Sequence, residues 1–474
     1  MSILDDGFFV AKNFFKNVSM IKLLLIVMTI AMISLNIFSF EGYCDSKGTN
    51  TADLAPMAID IDKPISNEER YKDSQGEAPN LKEMKEPVSD DEKNRLNTRK
   101  NKSTNNDIEY DDIVYFGINN GELNLSSKDF GDEFAVKGSI AKNDAEYVFN
   151  DKKRLNVLAY KGIDYTKIDK VIIKDDIHLY PNLPLFSGME SLQEIINIEN
   201  IKLDNWTSLN SCFYNCRSLK TIDISKLDTK SIKDMSFMFD GCEKIEFVNL
   251  TGIDMTSVID LSYMFNNCKS LKTVAVKNDT LKNVKTMHKM FNSCLGLENI
   301  DLSIWYLNSL EDASYLFSDC TNLTYVNLNN TTTEKLKDVS YMFNNCENLD
   351  GVDMKLLNIT NLVDARGMFT NTEFITKVEF NHNGLNFQVN ADDMYSGCKK
   401  LEKPDVYIVR HNSSISKVFK DCPNIKELDL SMLSYNGALD EMGFGTSKGI
   451  QKILLRKGQR VENSELNKVV VYVD

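Results

Sequence analysis

A chain of 474 residues is too long for one compact hydrophobic core, so two or more structural units are expected. Its 42% hydrophobic and 26% charged residues are ordinary for folded protein. The formal net charge of −14 repels phosphate backbones and argues against a nucleic-acid partner.

The N-terminus carries the first local signal. Leu23 to Phe40 is an uncharged apolar run of eighteen residues, preceded by Lys12, Lys16 and Lys22. As a helix it nearly spans a hydrocarbon core of about 30 Å. Basic residues before the run, with Glu41 and Asp45 after it, keep the N-terminus in the cytoplasm and export the rest. Residues 1–44 are therefore expected to be a cytoplasmic stub plus a signal peptide or signal-anchor helix. Both forms stay open: Gly42 and Cys44 offer a weak cleavage site, and an uncleaved anchor needs slightly more length or little tilt. Met20 as the true start would leave a short, ordinary signal sequence. The Glu41-Gly42-Tyr43 that precedes Cys44 does not look like a lipoprotein signal.

Residues 45–107 hold four of the eight prolines, many Asn, Ser, Lys, Glu and Asp, few apolar residues and no period. Such a stretch buries too little surface to offset its ordering entropy, and it is expected to be a disordered polar spacer. Residues 108–184 lack the repeat described next. Asp112 to Phe116, Leu123 to Leu125 and Val171 to Ile173 read as short strands of an N-terminal capping unit.

Residues 185–431 are built from an internal repeat. Cysteines fall at 216, 242, 268, 294, 320 and 346, each 26 residues after the last; Thr372 takes the next place, then Cys398 and, after 24, Cys422. An aromatic stands three residues before each, from Phe213 to Phe419, and Leu or Ile three residues after each, from Leu219 to Ile425. An imperfect earlier copy lies at Phe186 and Leu192. The first half of each unit alternates, as in Leu323-Thr-Tyr-Val326-Asn-Leu328, which predicts a short strand. The second half spaces Ile232, Met235, Met238, Phe239 and Cys242 by 3, 3, 1 and 3, which predicts one stripe of a short helix. Ser231, Ser257, Ser309 or Asn361 would cap it, with Asp234, Asp260, Asp312 or Asp364 three residues on, as in a capping box. Neither half has a core alone, so the units must stack. The expected architecture is an α/β repeat: a leucine-rich-repeat-like solenoid of about 26-residue strand–turn–short-helix coils. Open ends of such a stack expose strand edges. Residues 432–474, with Ile450 to Leu455 and Lys468 to Tyr472 as strands, are expected to form the C-terminal cap.

The stretches Asp228 to Cys242 and Asp254 to Cys268 resemble the BspA-like leucine-rich repeats of bacterial surface proteins. That resemblance covers roughly half the chain. It implies a leucine-rich-repeat fold, a cell-surface location, frequent adhesion to host or neighbouring cells, and no enzymatic activity. This chain departs from the pattern late, where Thr372 replaces the cysteine, Pro404 falls at an expected strand and the spacing slips to 24.

Candidate chemistry is sparse. The periodic cysteines fit a ladder of buried small residues, with disulfides between neighbouring coils as the rival, and their redox state stays open. Zinc finds no Cys-x-x-Cys; Cys212 and Cys216 form the one close pair. The four histidines, His178, His288, His382 and His411, are scattered, and His288 reads as a helix-surface residue. The repeated Asp234, Asp260, Asp312, Asp338 and Asp364 suggest a calcium ladder less readily than helix capping. No phosphate loop or nucleophile elbow accompanies them. No catalytic, cofactor or metal site is expected.

A binding face would lie on outward strand positions, which the fold leaves free. The candidates are Asp223, Phe247, Asn249, Asp301, Tyr325, Asn327 and Asp353, with Phe247 and Tyr325 as aromatic anchors. Against this stands their being tolerated strand formers. The partner implied by the resemblance is a host or neighbouring-cell surface or matrix protein, with the membrane reached through the N-terminal apolar segment. The rival role is a structural or antigenic coat component without a dedicated ligand. An enzyme within residues 108–176 has no residue to motivate it.

Overall fold

A computed structural model describes residues 113–141 and 156–473, apart from 278–279, 329–332, 353, 355–356, 381–388, 409–415 and 435–437. The readings of residues 1–44 and 45–107 lie outside the described residues, as do Asp353, His382 and His411.

The described chain begins with β1 (Ile113–Asn119) and β2 (Glu122–Ser126), joined by Asn120-Gly121. Both turn residues have positive φ, 48° and 84°, the geometry an Asn-Gly hairpin turn supplies with least strain. β3 (Val136–Ala141) pairs antiparallel with the far side of β1. After a single helical turn, α1 (Val157–Tyr160), the sheet changes character. β4 (Lys170–Ile173) adds parallel to β2, a two-residue β5 (Ile177–His178) follows, and β6 (Glu194–Ile196) adds parallel to β4. The order is β3-β1-β2-β4-β6, so an antiparallel end grades into the parallel stacking of the coils. Leu123, Leu125, Val171 and Ile173 are fully buried beneath it.

From there each coil lies on the last. Short parallel strands mark one side: β7 (Ile201–Lys202) pairs with β5, and β8 (Phe247–Asn249) with β9 (Thr273–Ala275). β10 (Asn299–Asp301), β11 (Tyr325–Asn327) and β12 (Gly351–Val352) form a second group. β13 (Glu427–Asp429), β14 (Lys452–Arg456) and β15 (Val470–Val473) form a third. Partners differ by 26 residues in the regular coils, as Val326 on Ile300.

Among the described residues, the short helices expected in the second half of each coil are absent. Two residues per coil, four apart, take the left-handed conformation: Phe237 and Gly241, Tyr263 and Asn267, Lys289 and Ser293, and so on to Lys417 and Asp421. An α-helix cannot pass through such residues. Instead the N–H groups alternate between two destinations. Met238, Asp240 and Cys242 donate three residues back, to Met235, Phe237 and Phe239. Met235, Phe237, Phe239 and Gly241 donate to Asp260, Ser262, Met264 and Asn266 of the next coil, at 2.8–3.0 Å. The 3, 3, 1, 3 spacing thus recorded a run of tight turns, whose inward residues Met235, Met238, Phe239 and Cys242 are fully buried. The aspartates expected to cap helices close turns as well: Asp234 Oδ1 accepts from Ser236 N at 2.9 Å, and Asp260 Oδ1 from Ser262 N at 2.8 Å.

The core is a set of columns. Phe186, Phe213, Phe239, Phe265, Phe291, Phe317, Phe343, Phe369, Tyr395 and Phe419 stack with centroids 5.3–5.9 Å apart and planes within 14°. Each such pair adds about 0.5–1.5 kcal/mol beyond area burial. Beside them runs a ladder of thiols. Sγ of Cys216, Cys242, Cys268, Cys294, Cys320, Cys346 and Cys398 each donates to the carbonyl of the aromatic one coil earlier, at 3.0–3.1 Å. Thr372 fills its place with a hydroxyl, donating to Phe343 O at 2.8 Å, and Ser447 carries the ladder on to Phe419 O at 2.9 Å. The position selects a small buried donor, which is why Cys, Thr and Ser interchange there.

Candidate interaction surface

The outward strand positions are where alternation places them. Phe247 and Tyr325 are both 43% exposed while Val248 and Val326 beside them are fully buried. The two aromatics are three coils apart, roughly 15 Å at about 4.8 Å per coil, so they are separate anchors rather than one patch. Their polar companions have a local task. Asp223, Asn249 and Asp301 each accept, through Oδ1, the N–H two residues on, from Ser225, Thr251 and Ser303 at 2.8–3.0 Å. Asp223 is held below the usual carboxylate range by the bond from Ser225. Asn249 and Asp301 turn the chain out of β8 and β10, Asp223 makes the same turn where the expected strand does not form, and Asn327, half-buried, stands at the same place in its coil. The exposed candidates thus divide into two free aromatics and a set of turn-closing residues.

The turn side holds features that periodicity alone did not expose. Two residues before the core ring, Phe237, Tyr263, Lys289, Tyr315 and Tyr341 form a second column, all with φ of 53–60°. Phe237 stacks on Tyr263 at 4.5 Å and Tyr315 on Tyr341 at 4.8 Å. Lys289 bridges the gap with Nζ 5.5 Å and 4.9 Å from the Tyr263 and Tyr315 ring centres. The column ends at Gly367, where a Cβ would stand 2.3 Å from the Tyr341 ring. Bulky side chains at left-handed positions cost about 1–2 kcal/mol each, so their stacking must offset that. The 26-residue recurrence of aromatics at 237, 263, 315 and 341 is visible in the sequence, but it lies off the inward stripe of Met, Phe and Cys.

His288, expected on a helix surface, is buried between the Tyr263 and Tyr315 edges with Nδ1 2.6 Å from Ser314 Oγ. Burial lowers its pKa to about 4. His178 Nδ1 lies 2.6 Å from Asp204 Oδ2. Burial raises Asp240 to about 7, against bonds from Asn266 and Asn267, and Asp338 to about 6. The thiols of Cys212, Cys320 and Cys422 are pushed up to about 12 by burial, far from thiolate chemistry. Among the described residues no group of three or more His, Cys, Asp or Glu converges as metal ligands, and no helix is long and apolar enough to cross a membrane.

Pro404 interrupts the strand side. It occupies the inward column of Val326 and Val378, and a groove opens between its coil and β13, with adjoining volumes of about 620 and 450 Å³. That falls in the range of ligand-sized clefts, about 300–1,000 Å³.

The hydrogen bonds define a repeat protein of stacked 26-residue coils whose short strands pair in parallel. A family model described as "Mycoplasma protein of unknown function, DUF285" matches it twice, over residues 183–305 and 287–407. No curated protein matches the sequence. Among solved structures it is similar to a leucine-rich repeat protein from Eubacterium ventriosum, at 11% identity over 72% of this chain and 93% of that one, with a TM-score of 0.33. It is also similar to TLR13 in its complex with ssRNA13, at 15% identity over 64% of this chain, with a TM-score of 0.21. Mouse RP105 in its complex with MD-1 shares 13% identity over 64% of this chain, with a TM-score of 0.23. The match spans about half of those two chains, 54% and 48%.

Proposed function

We propose that this chain is an exported repeat protein that binds a protein on a host or neighbouring cell, or in its matrix, through the strand side of the stack. The observation that carries the reading is the outward row itself: Phe247 and Tyr325 stand 43% exposed on a rigid backing, and exposed aromatics are typical anchors. The apolar run Leu23 to Phe40 supports export, and residues 45–107 would serve as the tether. The resemblance of Asp228 to Cys242 to BspA-like repeats supports adhesion. The reading has no catalytic step. Binding is an additive affair of many weak contacts along several coils.

A second reading, a coat component without a dedicated ligand, is favoured by the turn-closing use of Asp223, Asn249 and Asp301. The two separate on one experiment. Purified protein and its Phe247→Ser/Tyr325→Ser variant are passed over immobilised matrix and cell-surface proteins. Retention of the parent and loss in a still-folded variant supports adhesion; equal behaviour of the two supports the coat.

A further inference from the structure

We propose that the edge of β13 facing Pro404 is a docking site for an extended peptide segment of a protein partner, which joins the sheet there as an added strand. In parallel pairing, alternate residues turn their main-chain groups to opposite neighbours. Lys426 O accepts from Lys452 N at 3.2 Å and Leu430 N donates to Leu454 O at 2.9 Å, so Lys426, Leu428 and Leu430 face β14. Glu427 and Asp429 therefore face the other way, toward the coil of Pro404. In the preceding coil the equivalent edge is engaged: Val378 N, one coil before Pro404, donates to Lys403 O at 3.4 Å. Here the residue placed to donate is proline, which has no N–H. The carboxylate of Asp405 completes the diversion, accepting from Phe380 N at 2.8 Å and Tyr407 N at 2.9 Å. Among the described residues, no backbone group of 400–408 bonds to any of 424–430.

What remains is a strand edge with its main-chain donors and acceptors in a cleft of about 620 Å³, continuous with a further 450 Å³. Val406, Leu428 and Leu454 give an apolar floor, and Met432 and Leu433 extend it. The rim mixes Lys403 and Lys426 with Glu402 and Glu427, so charge selects no sign of ligand. Main-chain pairing with apolar side chains at every second residue is the chemistry that fits, the mode of strand addition. It needs neither Phe247 nor Tyr325, and it stands or falls separately from the adhesion reading.

The probe is an end-capped, fluorescein-labelled peptide of alternating valine and threonine with terminal lysines, beside the same peptide N-methylated at alternate residues. With the full chain, anisotropy should show saturable binding of the first peptide, at least tenfold weaker for the N-methylated one. Pro404→Val, which restores the missing N–H, should weaken binding at least tenfold and raise the thermal midpoint. Hydrogen exchange should find the Glu427 and Asp429 amides fast in the free protein and slowed at least tenfold by the peptide. Absence of saturable binding, equal binding of the N-methylated peptide, or protection of both amides in the free chain overturns the proposal. Should Pro404→Val fail to fold, the two peptides and the amides of the parent protein still decide it.

Discussion

The two sides of each coil are held together very differently. On the turn side, parallel bridges run unbroken from Ser208 through Asp234, Asp260, Thr286, Asp312, Asp338 and Asp364 to Asn390. Stacked rings and donor thiols follow the same course. On the strand side, pairing falls into separate groups, β8 with β9, β10 to β12, and β13 to β15. The rigid element of this protein is therefore its succession of turns, and the strands are carried by it. Freed from holding the stack, the outward strand row varies from Phe247 to Thr273, Asn299 and Tyr325 while the turn side keeps its pattern. A surface that can vary without cost to the fold is suited to recognition.

The largest test strikes the turn side. Phe291 is fully buried with rings stacked on both faces. Phe291→Ala should cost about 3–5 kcal/mol by urea titration, whereas Val274→Ala on the half-buried strand row should cost no more than about 1 kcal/mol. Equal losses would mean that the two sides share the load.

Next is the response to pH. Burial raises Asp240 to about 7 from the usual 3.8, so the folded state favours its protonated form. That stabilisation is complete below about pH 4 and is lost as pH rises through 7. His288, lowered to about 4 from 6.5, acts oppositely and costs stability as pH falls below 6.5. Asp240→Asn keeps an acceptor for Asn266 and removes the first effect. It should stabilise the protein at pH 8 by on the order of a few kcal/mol, with the gain fading by pH 4. A gain independent of pH would show that Asp240 does not titrate in this range.

The sequence disclosed the repeat, its length and its inward residues, because a 26-residue recurrence of Phe, Cys and Leu has one economical explanation. It misread the local conformation. Inward spacings of 3, 3, 1 and 3 suit a helix and a run of turns equally, and Phe237, Tyr263 and Tyr315 gave no warning of positive φ, which glycine or asparagine normally announces. On the outward row the alternation placed Phe247 and Tyr325 correctly. It could not tell that Asp223 and Asp301 are occupied in turns, since an Asx bond depends on the backbone two residues ahead. Pro404 was visible as an irregularity, but the groove it opens depends on how β13 aligns with β14.

A smaller effect distinguishes packing from hydrogen bonding within the ladder. Cys320 Sγ donates to Phe291 O at 3.0 Å, as Thr372 Oγ1 does to Phe343 O. Cys320→Ala should cost about 1–3 kcal/mol by leaving a buried carbonyl unmet, and Cys320→Ser should recover part of it. With its pKa near 12, the thiol should resist iodoacetamide until the chain unfolds. Rapid labelling in the native state would place the ladder at the surface.

The smallest effect expected is on the outward row, and its smallness is the point. Phe247 and Tyr325 touch solvent over 43% of their surface and leave the column of Val248 and Val326 intact when removed. Serine at either position should change unfolding free energy by no more than about 0.5 kcal/mol. A loss near 2 kcal/mol would show that these rings hold neighbouring strands together in addition to the backbone pairing. The strand side would then be a second spine, with its aromatics committed to the stack before any partner arrives.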